Sequence, residues 1–160
     1  MANESEILWG TVPDFSDISE LDQLGDGDWW QSGEQNDASP SNQFVRISWE
    51  IIFANTPVAG DFLWFKIARG DGAASNEIWD GGIGTTEGQI TAAAAIAELD
   101  QAPTPQWTHH WATSHGSTFK GLKTISLHGH SWQLCISPRG DAISSGTQRV
   151  RYQYGTPQLQ

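Results

Sequence analysis

Apolar and polar residues alternate most regularly at positions 44–53. Val45, Ile47, Trp49, Ile51 and Phe53 form a wholly apolar set, and Phe44, Arg46, Ser48, Glu50 and Ile52 a mixed one. A period of two over this length predicts a half-buried β-strand. Positions 62–69 repeat the pattern, with Leu63, Phe65 and Ile67 facing one way and Phe62, Trp64, Lys66 and Ala68 the other. Between them, Asn55-Thr56-Pro57-Val58-Ala59-Gly60-Asp61 has turn chemistry, Pro supplying a fixed φ and Gly a positive one. The two strands and this turn predict an antiparallel strand–turn–strand unit. Shorter strands are predicted at 6–10, 122–127, 130–136 and 148–154. Trp132, Leu134 and Ile136 share one face of the third, and the last turns Val150, Tyr152 and Tyr154 inward and Arg149 and Arg151 outward. Strands at roughly 8–12-residue spacing with glycine-containing turns predict an all-β antiparallel sandwich, jelly-roll-like.

Two stretches break the alternation. Residues 13–42 are rich in Asp, Ser, Gly and Asn, and read as an extended acidic N-terminal arm preceding a sandwich domain at 43–160. Ile18, Leu21 and Leu24 are spaced as one helical face within that arm. Trp29 and Trp30 stand side by side there, and two large aromatics in a polar arm either cap the core or fill a partner's pocket. The second stretch is 88–118. Five alanines favour one short helix at 91–99, Thr86 with Gln89 matches a capping box, Ile90, Ala94 and Ala97 would form its apolar face, and Pro103 and Pro105 stop it. Residues 70–88, with six glycines, read as loop.

Composition narrows the class. Nine tryptophans in 160 residues and a single cysteine leave no disulfide framework within the chain and no cysteine-rich zinc module. No apolar run reaches the roughly 18–20 residues of a membrane span, and MANESEIL has neither a basic nor an apolar leader region. Residues 1–100 carry 18 acids against 3 bases, a net of −15, and residues 101–160 one acid against five bases, a net of +4, which together make the formal −11. Clustered cations are scarce, so a nucleic-acid surface is not expected. The asymmetry suits complementarity within the chain or between subunits.

Chemistry is sparse. His109 and His110 lie between Trp107 and Trp111, with His115 following and His128 and His130 further on. A metal needs three or four convergent ligands, and no acid stands near either group to complete a set. Around a trimer axis these histidines could instead form a ring. Asp22 to Asp28 is loosely loop-like for calcium but lacks the closing Glu of the twelve-residue pattern. Gly81-Gly82-Ile83-Gly84 lacks the phosphate-loop spacing and its Lys. Ser114-His115-Gly116-Ser117 does not make a triad by adjacency, and Cys135 reads as a small packed side chain. The expectation is therefore no catalytic residue, no metal and no cofactor. Partner contact falls to Trp29, Trp30, Trp64, Trp79, Trp107, Trp111, Arg149 and Arg151, with the tryptophans as a platform for sugar rings, a piece of core or a subunit interface.

Taken in order, several segments resemble a group of small virion proteins of tailed bacteriophages. Ile7-Leu8-Trp9-Gly10-Thr11 resembles their Trp-Gly-Thr start, and Thr56-Pro57-Val58-Ala59-Gly60 their turn after an alternating strand. Asp71-Gly72, then Asn76 and Asp80-Gly81-Gly82, resemble their next loop. Ile125-Ser126-Leu127, the 132–136 strand, Ala142-Ile143-Ser144-Ser145-Gly146-Thr147 and Tyr152 resemble their closing hairpin. The likeness covers most of 7–154. It departs at Ser137-Pro138-Arg139-Gly140, where an Asn-rich turn is expected, and at 88–118, which reads as an insertion. The resemblance implies a non-enzymatic protein of the virion, assembled in the host cytoplasm. It would be a head decoration or cement protein bound to the major capsid protein, or a tail protein, and homo-oligomeric, with a trimer expected first. A glycan-binding host-recognition module is the alternative. Neither nucleic acid nor membrane is expected as a partner.

Overall fold

The computed structural model describes residues 6–15, 18–35, 43–70, 87–112, 116–127 and 131–158. Among the described residues, nine strands form two antiparallel sheets. The first has the order β1 (Glu6–Trp9), β9 (Arg149–Gln158), β3 (Phe44–Ile52), β7 (Thr118–Ser126). The second runs β5 (Gly88–Ile90), β2 (Trp29–Gln31), β8 (Trp132–Arg139), β4 (Phe62–Arg69), β6 (Gln106–His110). With β5 set aside, the remaining eight strands have the interleaved order of a jelly roll, a double-sheet sandwich made of two Greek keys.

That order corrects the expected strand–turn–strand unit. β3 pairs with β7 and β9, whereas β4 pairs with β6 and β8. Residues 53–61 therefore carry the chain from one sheet to the other, with Gly60 at φ 108° as the turn chemistry required. Both strands alternate because each turns its apolar face into the same core from opposite sides. The same holds at the C-terminal end, where β8 and β9 lie in different sheets and make no hairpin.

The apolar sets meet as expected. Val45, Ile47 and Ile51 of β3, Leu63, Phe65 and Ile67 of β4, Trp132, Leu134 and Ile136 of β8 and Val150 of β9 are fully buried in one core. Burying each such side chain contributes about 1.5–3 kcal/mol. Trp49 lies over Gly121, its partner across β3 and β7, where a Cβ would overlap the indole.

The described residues of the acidic arm, 13–15 and 18–35, are not extended but packed on the sandwich. Residues 18–21 form a 3-10 turn (Ile18–Leu21), Trp29 and Trp30 lie in β2, and Phe15, Leu21, Leu24 and Trp30 belong to the main core. Phe15 meets Trp30 and Trp132 edge-to-face, each at 5.9 Å between centroids. Polar turn residues mask this in a count of periodicity, because each apolar residue reaches the core from its own short segment.

The helix α1 spans Ala93–Gln101, starting later than expected. Gln89 and Ile90 lie in β5, opposite Trp30 and Trp29, so neither the capping box nor an Ile90 helical face forms. Ala92 is the N-cap, and its methyl side chain accepts no bond from the first-turn N–H groups. The 88–118 stretch also divides. β6 is one of the eight jelly-roll strands, and among the described residues β5 and α1 are the elements additional to them. The helix covers the outer face of the second sheet through a small core of Trp29, Ile90, Leu99 and Cys135.

Candidate functional site

The outward positions of the second sheet carry its chemistry. Trp64 stands opposite Thr108 on one side and Ser137 on the other, while Lys66 stands opposite Gln106 and Cys135. Asp100, in the last turn of α1, accepts from Trp29 Nε1 (2.9 Å) and from Arg139 Nη2 (2.7 Å). Lys66, only 1% exposed, donates to the carbonyls of Leu99, Asp100 and Ala102. They lie at the helix C-terminus, where carbonyls run short of main-chain donors (the Ala102 N–H reaches that of Leu99), and a cation there also meets the negative end of the helix dipole. Burial holds the Lys66 ammonium below its ordinary pKa, with Asp100 pulling the other way.

Trp64 is pinned from several sides. Its ring centroid lies 5.3 Å from that of Trp29, 4.6 Å from Lys66 Nζ and 5.0 Å from the Arg139 guanidinium, and its Nε1 donates to Gln106 Oε1 (3.0 Å). The ring remains partly exposed. Next to it, Phe62, Gln106, Trp107 and Thr108 line an open depression of about 390 Å³. His110 packs at a tilt against Phe62, 5.1 Å between centroids, and shares a hydrogen bond with Thr108 (3.1 Å). An aromatic ring fixed beside amide, hydroxyl and imidazole groups can pack on an apolar ring, with bonds to hydroxyls from its neighbours.

The outer face of the first sheet has a different character. Across neighbouring strands stand Lys120, Glu50 and Arg149, then Leu122, Ser48 and Arg151, then Thr124, Arg46 and Gln153. Glu50 meets Lys120 at 2.8 Å and Arg149 at 4.0 Å, and Arg151 meets Asp14 at 2.6 Å. The Lys120 hydrogen bond holds the Glu50 carboxyl below its ordinary pKa. The Arg46 guanidinium lies 3.7 Å from the Trp9 ring centroid.

The candidate contact residues separate accordingly. Trp29 and Trp30 are 0% exposed, which removes them from any partner surface. Trp107 points inward and stacks on Phe65 at 4.9 Å. Trp111 packs against the core edge and donates to the Gly116 carbonyl (2.9 Å). Trp64, Arg149 and Arg151 remain at the surface, and Trp79 lies outside the described residues. Phe62, Gln106, Arg139, Lys120 and Arg46 carry no such signal in the sequence, because only strand pairing brings the first three around Trp64 and the last two onto the face that holds Arg149 and Arg151.

The histidines separate too. His109 Nδ1 accepts from Trp49 Nε1 (2.9 Å) beneath Phe119, while His110 faces outward. His115, His128 and His130 lie outside the described residues. Among the described residues no three His, Cys, Asp or Glu side chains converge as a metal site requires. Asp26 of the calcium-like run accepts instead from the Gly140 N–H (2.8 Å). Cys135 lies under α1, its thiol pushed up to about 12 by burial. No described helix is long and apolar enough to cross a membrane. No protein-family model, curated protein or solved structure matches the chain.

Proposed function

We propose that the chain is a non-enzymatic structural protein of a bacteriophage virion, a decoration or cement subunit that sits on the head in contact with the major capsid protein. The observation that carries this reading is the jelly-roll strand order, an architecture that recurs in viral capsid domains. It is an analogy of fold, since a fold alone does not set function. The order of short motifs along 7–154 supports the same assignment. The first sheet adds a broad, charged, solvated face of the kind a subunit offers to neighbours. The test is to count copies of the protein in purified particles by quantitative mass spectrometry and to locate it by electron microscopy. Copies in proportion to the capsid lattice are expected. Particles without the protein, or a few copies confined to the tail, would overturn the decoration role.

A second reading, a glycan-binding module for host recognition, draws on the pinned Trp64 and its rim of Gln106, Thr108 and His110. Binding to host-surface glycans that falls at least about tenfold in Trp64→Ala, with an unchanged melting temperature, would favour it. No binding to any glycan on an array of host-surface polysaccharides would remove it.

A further inference from the structure

We infer that the outer face of the first sheet docks onto the acidic rim of a second copy of this chain, forming a head-to-tail contact. The inference deepens the structural role above and names the partner of one surface. Four cations, Arg46, Lys120, Arg149 and Arg151, stand on this face against Glu50 and Asp14, in a chain whose formal charge is −11. The Lys120 and Arg149 side chains are 64% and 58% exposed, so neither is used up by packing. Leu122, 59% exposed, lies on the β7 edge strand beside them and adds an apolar residue to the face.

The complement is built into the same chain. Segments 18–35 and 87–101 hold eight acids and no base. The fold brings Glu20, Asp22 and Glu87 of these together at the β5 edge of the second sheet, while Asp100 is taken up by Trp29 and Arg139. Gln89, in β5, donates to the carbonyls of Glu20 and Asp22, a Cβ on Gly88 would collide with the Glu20 carboxylate, and one on Gly33 would meet Glu87 Oε2. One surface of each copy is thus cationic with an apolar residue at its edge, and another is anionic.

Because the two patches lie on different parts of the molecule, the contact is heterologous, and it closes into a ring or runs on as a filament. Ionic strength separates the two electrostatic effects. At about 0.15 M salt the Debye length of about 8 Å screens the overall repulsion between −11 chains but spares charges in contact, whereas at about 1 M it falls to about 3 Å and contact pairs weaken too.

The full chain is examined by sedimentation velocity over a concentration series. Species heavier than the 17.5 kDa chain are expected at 0.15 M salt and not at about 1 M. The doubly reversed variants Lys120→Glu/Arg149→Glu and Glu20→Lys/Glu87→Lys should each associate at least about tenfold more weakly. Mixed one to one, they should associate again, because each supplies the charge the other needs, and near-UV circular dichroism shows that both are folded. Wild-type chain that stays monomeric at every concentration overturns the inference, as does association that neither salt nor reversal weakens. A monomer in solution that is still found at lattice copy number in particles would sink this contact while leaving the virion role standing.

Discussion

At the residue scale, Cys135 and Gly121 test the packing most directly. Cys135 is 0% exposed between the second sheet and α1, and burial raises its thiol to about 12. Thiolate is the reacting species, so the native protein should not react with a thiol reagent at pH 8 on the timescale of a free cysteine. It should react fully once unfolded in denaturant, and fast labelling of the native protein would contradict the burial. Gly121 is the residue on which the Trp49 indole rests. Gly121→Ala should displace the ring and cost about 1–3 kcal/mol, read by denaturant titration, with a change in tryptophan fluorescence as the Trp49–His109 bond is disturbed. The alternation at 44–53 made the inward side of Trp49 legible in the sequence. Its glycine partner, 72 positions away in the chain, was not, because register is a property of the pairing.

At the element scale, Lys66 joins β4 to α1. Lys66→Met keeps the apolar stem and removes the ammonium, so three carbonyls at the helix end lose its bonds, that of Leu99 keeping the Ala102 N–H. A loss of about 2–3 kcal/mol is expected. Hydrogen exchange should quicken in α1 before it does in β3, and equal quickening everywhere would refute a local anchor. Asp141 joins two crossovers. Its carboxylate accepts from Asn55 N (2.7 Å), Asn55 Nδ2 (3.0 Å) and Ala142 N (2.8 Å). Desolvation pushes its pKa up, but these bonds together outweigh it and leave the group below its ordinary 3.8. A carboxyl with a depressed folded pKa stabilises the fold above its unfolded value, and that stability is lost as pH falls through the folded one. Thermal unfolding should therefore worsen below about pH 4, and Asp141→Asn should flatten that acid limb; an unchanged limb would leave the clip without weight. The helix itself was visible as an alanine run. Its start was not, because Gln89 and Ile90 are claimed by pairing with β2.

At the scale of the whole molecule, the first and last strands pair, Glu6 opposite Gln158, and most chain neighbours lie in opposite sheets. Ordering so many distant segments costs loop-closure entropy before the core repays it, so refolding is expected in the milliseconds-to-seconds range of all-β topologies. Stopped-flow refolding completed within microseconds would contradict this strand order.

By itself, the sequence determined that the protein is built of strands, which side of each long strand faces inward, where Gly60 must turn, and that acids and bases are segregated. These are local facts, set by a period of two, by φ preferences and by composition. Only the tertiary structure decided which strands pair, that Trp29 and Trp30 are core, that Trp64 is the ring held at the surface, and that Lys120, Arg149 and Arg151 stand on one face. Those outcomes depend on contacts between residues far apart in the chain, where two sheets compete for the same apolar strands and the jelly-roll register satisfies both.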